Sequence, residues 1–254
     1  MKLQFLGSGT SQGVPMIGCH CAVCCSKDKR DKRLRSSVVI SQDATTIVID
    51  TSMDFRYQVL RAGIETVDAV LFTHAHKDHI GGMDDLRGFN YAMGRAIDIY
   101  CEKRVERVLC KDFDYVFTEN PYAGVPQVIT HIIDDKSFNI NGIEVIPIRG
   151  LHFKLPVLGF RIGAMCYITD MNYIAPSEIE KIKGVDVLII NALRREPHIS
   201  HFTLDEALGI IRQVQPCRAF LTHISHQLGL YEDLIKELPQ GVELSYDGLT
   251  LEIE

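Results

Sequence analysis

Apolar and polar residues alternate over KLQFLG, residues 2–7, and the alternation stops at Gly7. Successive side chains of an extended chain face opposite sides, so this run reads as an amphipathic strand. Residues 8–21, SGTSQGVPMIGCHC, show no period and carry the glycine, proline and small polar residues of turns. Two β-branched runs, SSVVISQ and TTIVIDTS, meet at Gln42 and Asp43 and predict a hairpin ending at Asp50. FRYQVLRA, residues 55–62, predicts a helix closed by Gly63, and VDAVLFT predicts a buried strand ending just before His74.

Further on, MDDLRGFNYAMG reads as a short helix and loop, AIDIYC as a strand and KRVERVLCKDFDYVF as a helix. Strands follow over 128–133, 137–140, 143–149 and 157–162, then MCYIT leads into Asp170 and VDVLIINAL into a polar turn before Pro197. Helix LDEALGIIRQV, strand AFLT, helix YEDLIKEL and a closing VELSYDGLTLEI complete the pattern. A strand-rich half with terminal helices thus occurs twice. Two sheets packed together with helices outside both of them would satisfy that order, an α/β arrangement.

Composition supports one continuous core. The chain has 254 residues, 46% of them hydrophobic, and is expected to form a single domain over 1–254 without help from disulfides. No long apolar stretch is free of charge, and MKLQFLGSG lacks signal-peptide form, so the expectation is a soluble cytoplasmic protein with no membrane partner. A net charge of -6 gives no general attraction for a nucleic acid polymer. The basic run over 27–35, KDKRDKRLR, reads as an exposed solvated loop, with a substrate or nucleic-acid contact as the alternative.

Cysteine use points to metal rather than to bridges. Of eight cysteines, Cys19, Cys21, Cys24 and Cys25 crowd into residues 19–25. Cys101, Cys110, Cys166 and Cys217 lie in apolar surroundings and are expected to be small buried hydrophobes. Three thiolates, Cys19, Cys21 and Cys24, need a fourth ligand to close a tetrahedral zinc. His226 could supply it; His20 or Cys25 could fill the place instead, or the thiols could be free.

The densest chemistry is THAHKDHIGG, placed where a buried strand leaves the core. His74 and His76, two apart in extended chain, can converge on one ion, and the turn through Asp78 and His79 can point at another. His152, Asp170 and His223 each follow an apolar strand, at the same topological place. His201 precedes a helix start built from Thr203 and Glu206, a capping-box pair. A histidine there could protonate a leaving alkoxide or hold a phosphoryl oxygen, the alternatives being a solvated ring or His198 in its stead.

The string His74-Ala75-His76-Lys77-Asp78-His79 resembles the HxHxDH motif of the metallo-beta-lactamase superfamily, whose fold is αββα. That resemblance implies two catalytic Mn²⁺ or Zn²⁺ ions, one on His74, His76 and His152, the other on Asp78, His79 and His223, with Asp170 bridging. It also implies hydrolysis by a hydroxide between the metals, with Asp78, Asp170 and His201 as catalytic residues. GTxxGVP at residues 9–15, GCxCxxC at 18–24 and THxxH at 222–226 are similar to the PhnP-like phosphodiesterase branch. This implies a structural Zn²⁺ on Cys19, Cys21, Cys24 and His226, within a loop over 18–26.

The branch further implies a small anionic diester as substrate, a cyclic ribose phosphate or a 2',3'-cyclic nucleotide, and a homodimer. The chain departs from it just after the metal motif, at Asp84, Asp85, Arg87 and Asn90, and at Tyr122 and Phe153 in rim loops, which leaves the exact substrate open. Arg87 is a candidate phosphate contact or an ordinary surface ion pair. The alternative activities are lactone or thioester hydrolysis. Transfer RNA 3'-end processing is less favoured, because the chain shows no Gly- and basic-rich arm.

Overall fold

The computed structural model describes residues 1–119 and 122–254. Strands β1 (Lys2–Gly7), β2 (Ser37–Gln42), β3 (Thr45–Ile49), β4 (Ala69–Leu71), β5 (Ile97–Cys101) and β6 (Val128–Ile132) run in that order across one sheet. The other sheet takes β7 (Phe138–Ile140), β8 (Ile143–His152), β9 (Leu155–Ile162), β10 (Met165–Ile168), β11 (Tyr173–Ile174), β12 (Val187–Asn191), β13 (Arg218–Thr222) and β14 (Val242–Leu244). Its order is β11-β8-β9-β10-β12-β13-β14, with β7 also beside β8. Strand β15 (Thr250–Glu252) returns to the first sheet and pairs antiparallel with β1.

Both sheets change direction in the same way. The β1–β2 and β2–β3 pairs are antiparallel and β3 to β6 are parallel. Likewise β8–β9 and β9–β10 are antiparallel, whereas β10, β12, β13 and β14 are parallel. Parallel neighbours require crossovers, and those crossovers are helices. The helices are α1 (Ala22–Cys25), α2 (Phe55–Ala62), α3 (Lys77–Ile80), α4 (Leu86–Met93), α5 (Lys103–Asp112), α6 (Pro176–Ile182), α7 (Leu204–Val214) and α8 (Tyr231–Glu237).

Strand alternation divides the core into three layers of contact. Leu3, Phe5, Val38, Ile40, Ile47, Ile49 and Leu71 of one sheet meet Leu158, Phe160, Tyr167, Ile189 and Phe220 of the other. Their sequence neighbours face outward: Leu6, Val39, Val48 and Val70 pack with Phe55, Val59, Leu86 and Phe89 of α2 and α4. On the opposite outer face, Cys166, Ile168, Leu188, Ile190 and Leu221 pack with Ile179, Ala207, Ile211 and Leu234. The αββα expectation therefore holds.

Several local expectations do not. Strand β8 continues to His152, past the expected end at 149, because it pairs in register with β9 from Val145↔Ile162 to His152↔Leu155. The helix expected over 103–117 stops at Asp112, and Phe113 leaves helical geometry at φ -125°, ψ 45°. Helix α6 and strand β11 were not expected at all, although Pro176 at the first helical turn is a start signal.

The basic run is solvated only in part: Lys27 and Lys29 are exposed, but the arginines and Lys32 are engaged. Arg33 is buried and donates to Ser8 Oγ at 2.9 Å and Ser245 O at 2.5 Å. Arg30 and Arg35 pair with Asp28 and Asp54, and Lys32 donates to Cys24 O. Counting charges along the sequence missed these acidic and carbonyl partners. Cys101 and Cys166 are buried as expected, whereas Cys217 is exposed and Cys110 only half-buried; Cys217 lies in the turn leading into β13. No described helix is long and apolar enough to cross a membrane.

Candidate metal centre

Strand ends bring the polar residues together. Asp50, Asp170 and His223 stand just beyond β3, β10 and β13, and each adopts a left-handed backbone, with φ of 64°, 55° and 54°. Such conformations are unfavourable for residues with a Cβ and persist where the surrounding structure enforces them. The phenyl-bearing turn residue Phe153, at φ 56°, follows His152 in the same way.

Asp170 is the hub. Its donor atoms lie within 4.8 Å of those of three pairs: His74 and His79, Asp78 and His223, and His152 and His201. His79 Nε2 approaches Asp170 Oδ2 at 3.1 Å and Asp78 Oδ2 at 3.2 Å, and His223 Nδ1 is 3.1 Å from Asp170 Oδ2. His76 stands outside these tight groups and is exposed, but its ring lies 4.6 Å from that of His74 and 5.0 Å from that of His152. All seven residues expected at the catalytic metals thus share one pocket.

The orienting partners were not expected from the sequence. Asp50 accepts from Thr73 N at 2.9 Å and Thr73 Oγ1 at 2.8 Å, and contacts His79 Nδ1 at 2.7 Å. A His79 that donates through Nδ1 turns Nε2 toward Asp78 and Asp170. His152 Nδ1 similarly donates to Ser200 O at 2.9 Å, and Ser36 Oγ lies 3.2 Å from His223 Nδ1. Asp50 closing a hairpin run was the only signal available, and turns use aspartate for many reasons.

Buried polar atoms without partners test whether cations fit here. Among the described residues, Nε2 of His74 and of His223 is buried and makes no hydrogen bond, while buried His79 Nε2 faces the carboxylates of Asp78 and Asp170. Orphaned buried imidazole nitrogens are costly unless something else binds them. Burial opposes charge on His79, yet Asp170, Asp78 and Asp50 overcome it and hold its pKa well above the usual value. A pocket that would protonate an imidazole against burial calls for positive charge, which divalent cations supply while releasing that proton. An imidazole and carboxylate donor set suits Zn²⁺ or Mn²⁺.

A second donor group lies between α1 and the loop after β13. Cys19, Cys21, Cys24 and His226 place their donor atoms within 4.8 Å of one another. His226 Nδ1 is 3.4 Å from Cys19 Sγ and 3.3 Å from Cys21 Sγ. The Cys24 amide, helped by His226, pulls the Cys21 thiol down to about 6, while burial pushes Cys24 up to about 11. Three adjacent thiols cannot all ionise without a cation among them, so this set too fits a metal. Cys25 and His20 are exposed, outside the group.

His201 is buried beside the metal pocket, stacked 4.8 Å from the His223 ring, with an unpartnered Nδ1 3.7 Å from Asp170 Oδ1. Burial pushes its pKa down to about 3 despite Asp170, so the free ring is neutral. It lines a cavity of about 400 Å³ with Ser11, Gln12, His198, His226 and Gln227. Arg87 is elsewhere: it pairs with Asp84 at 3.3 Å and lines a groove between α2 and α4 that holds none of the metal-pocket residues. Asn90 is also structural, donating to Arg95 O and Gln127 O.

Comparison with known proteins agrees with this geometry. Residues 45–224 match the model of the Beta-lactamase superfamily domain. A crystal structure described as a new diphosphatase from the PhnP family is 40% identical, covers 100% of this chain and 98% of its own, and superposes with a TM-score of 0.93. Zn²⁺-bound PqqB from Methylobacterium extorquens shares the fold at 20% identity and a TM-score of 0.78, with 100% of both chains covered. A curated relative from Porphyromonas gingivalis (strain ATCC BAA-308 / W83), named Octanoyltransferase, is 44% identical over 98% of this chain but only 51% of its own length. The chain thus spans about half of that relative. With the motif, the sheet order and these matches together, the chain belongs to the metallo-beta-lactamase superfamily, within the PhnP-like branch of its hydrolases.

Proposed function

We propose that this chain is a metal-dependent phosphodiesterase acting on a small anionic diester. The observation that carries the reading is the Asp170 hub, where one buried carboxylate joins three donor groups made of histidine and aspartate. We assign one catalytic cation to His74, His76 and His152, a second to Asp78, His79 and His223, and Asp170 to both; Cys19, Cys21, Cys24 and His226 hold a structural zinc. Bound there, two divalent cations bring water to a hydroxide at neutral pH and neutralise charge that develops on phosphorus oxygens.

The chain's own residues do the rest. Asp50 fixes the His79 ring, and the Ser200 carbonyl fixes His152, so that the donors are oriented before substrate arrives. His201 is neutral and buried, with a free ring nitrogen facing the hub. A neutral N–H at that place donates a hydrogen bond to the leaving oxygen and stabilises the charge that grows there as the P–O bond breaks, the proton that oxygen finally takes coming from water. Attack at phosphorus is also what the name of the 40% identical diphosphatase describes for that protein.

The name Octanoyltransferase favours a second reading, cleavage of an acyl thioester, though this chain matches only half of the protein that bears it. A panel decides between them: bis(p-nitrophenyl) phosphate, a 2',3'-cyclic nucleotide, a cyclic ribose phosphate, a nucleoside diphosphate ester, a lactone and an octanoyl thioester, each with Mn²⁺- and Zn²⁺-loaded protein. Turnover of the phosphorus substrates that collapses in His201→Ala supports the proposal. Thioester or lactone turnover without any phosphorus substrate would overturn it.

A further inference from the structure

Among the described residues, four hairpins close with two residues: 43–44 between β2 and β3, 141–142 between β7 and β8, 153–154 between β8 and β9, and 163–164 between β9 and β10. In each, the first loop residue has positive φ, at 52°, 50°, 56° and 54° in turn. Three of these residues are Asp43, Asn141 and Gly163, types that tolerate such a backbone. The other is Phe153, whose Cβ and ring make the same conformation unfavourable. Burial does not offset that strain, because Phe153 is 47% exposed.

The loop is nonetheless held in place. The Phe153 amide donates to Asn172 Oδ1 at 2.7 Å, and the Asn172 amide donates to Leu151 O at 2.8 Å. His152, one residue earlier, is pinned through Nδ1 to Ser200 O. Strained backbone that its surroundings enforce gathers at ligand sites, and here it sets a phenyl ring beside the metal pocket. Tyr173 follows Asn172 and Ile199 precedes Ser200, and these side chains are 51% and 66% exposed. The His152 side of the pocket therefore carries large apolar side chains open to solvent, as surfaces that receive another molecule do.

Lys154 narrows the chemistry of that molecule. Its Nζ lies 5.3 Å from the centroid of the Phe153 ring, so an acyl chain laid on the phenyl would also lie against an ammonium group. A flat heteroaromatic ring suits both neighbours: its face stacks on the phenyl, and its edge offers oxygen and nitrogen acceptors to the lysine. We propose that Phe153 selects the substrate of this site, stacking on the aromatic base of a nucleotide while the attached phosphoryl group enters the metal pocket. The proposal rests on the phosphodiesterase reading and separates two substrates which that reading leaves together. A cyclic nucleotide carries such a ring and a cyclic ribose phosphate does not.

Binding tests this without requiring turnover. The metal-loaded full chain is titrated calorimetrically with adenosine 5'-monophosphate and with ribose 5-phosphate, which share sugar and phosphate and differ in the ring. Wild type is expected to hold the nucleotide about 5- to 150-fold tighter, the range for one base stacked on an aromatic side chain. Phe153→Asn should lose that preference with ribose 5-phosphate binding unchanged, and Phe153→Tyr should keep it. The thermal midpoint of Phe153→Asn should be at or above that of wild type, since asparagine suits the positive φ. No preference in wild type, a preference that survives Phe153→Asn, or a clearly lower midpoint in that variant overturns the proposal. Turnover of bis(p-nitrophenyl) phosphate is read separately: its absence counts against the phosphodiesterase reading, whereas the ring preference decides the role of Phe153.

Discussion

At the end of β3 the Asp50 carboxylate collects two donors from Thr73 and the Nδ1 of His79, all within 2.9 Å. It is not itself assigned as a metal ligand, yet it sets the direction of His79. Asp50→Ala is expected to weaken catalytic metal affinity by about 10- to 100-fold, read by competition with a chelator; unchanged affinity would remove Asp50 from the site. His201 should behave differently, because it is assigned to the leaving group. His201→Ala should lower kcat about 10²- to 10³-fold while elemental analysis finds wild-type metal content. Loss of metal in that variant would make His201 a ligand instead.

The readable part of the site was its density. Three histidines and an aspartate in six positions after a buried strand, His74 to His79, have no economical role in a core. His152, Asp170 and His223 were legible because each ends an apolar strand. Asp50, Ser36 and the Ser200 carbonyl were not, since orienting a ring takes a single ordinary hydrogen bond. No sequence spacing records which ordinary residue makes it. Arg87 was misleading for the opposite reason: it follows the motif closely in sequence, but α4 carries it to the outer face.

Among the elements, the segment between α1 and β2 binds the cysteine group to the body of the fold. Asp31 accepts from Tyr231 N at the start of α8, Arg30 lies over the Tyr231 ring, and buried Arg33 ties Ser8 to Ser245. Ser8 in turn donates to Asp247, which is almost fully buried. Arg33→Ala should therefore cost about 3 kcal/mol of stability, as expected when one side of a buried charge network is removed, visible as a lower urea midpoint. A loss below about 0.5 kcal/mol, ordinary for a surface change, would return the segment to a solvated loop. Cys21→Ser is expected to release one zinc per chain and lower the thermal midpoint, with retained zinc contradicting the structural site.

The elements themselves were legible where a period was long. β1 to β3, α2 and α7 appear as expected, and α7 has the Thr203–Glu206 capping box. Short elements escaped: β11 has two residues and α6 seven, too few for a period to stand out beside the strands that flank them. The run over 27–35 was misjudged at its arginines because Arg33 and Arg35 find Ser245 and Asp54, and Arg30 the Tyr231 ring, partners distant in sequence.

For the whole molecule, the repeated change from antiparallel to parallel pairing explains why one edge carries the chemistry. Strands from both sheets end there: the loops that follow β3, β4, β10 and β13 deliver Asp50, the HxHxDH string, Asp170 and His223 to a common pocket, and β8 ends on His152 beside them. Neither sheet alone holds a complete set of donors, so the site forms only when the sandwich is assembled. The fold class was therefore predictable from the repeat, while the meeting of the two ends was not visible in either half.

Asp170 belongs to all three catalytic donor groups, and the cysteine group does not use it. The most direct test is elemental analysis of Asp170→Ala beside wild type, after loading with Zn²⁺ and removal of free metal. The account predicts three ions per wild-type chain and one, on the cysteine group, in Asp170→Ala with its folded signal intact. Wild-type content in the variant, or no more than one ion in wild type, would contradict it.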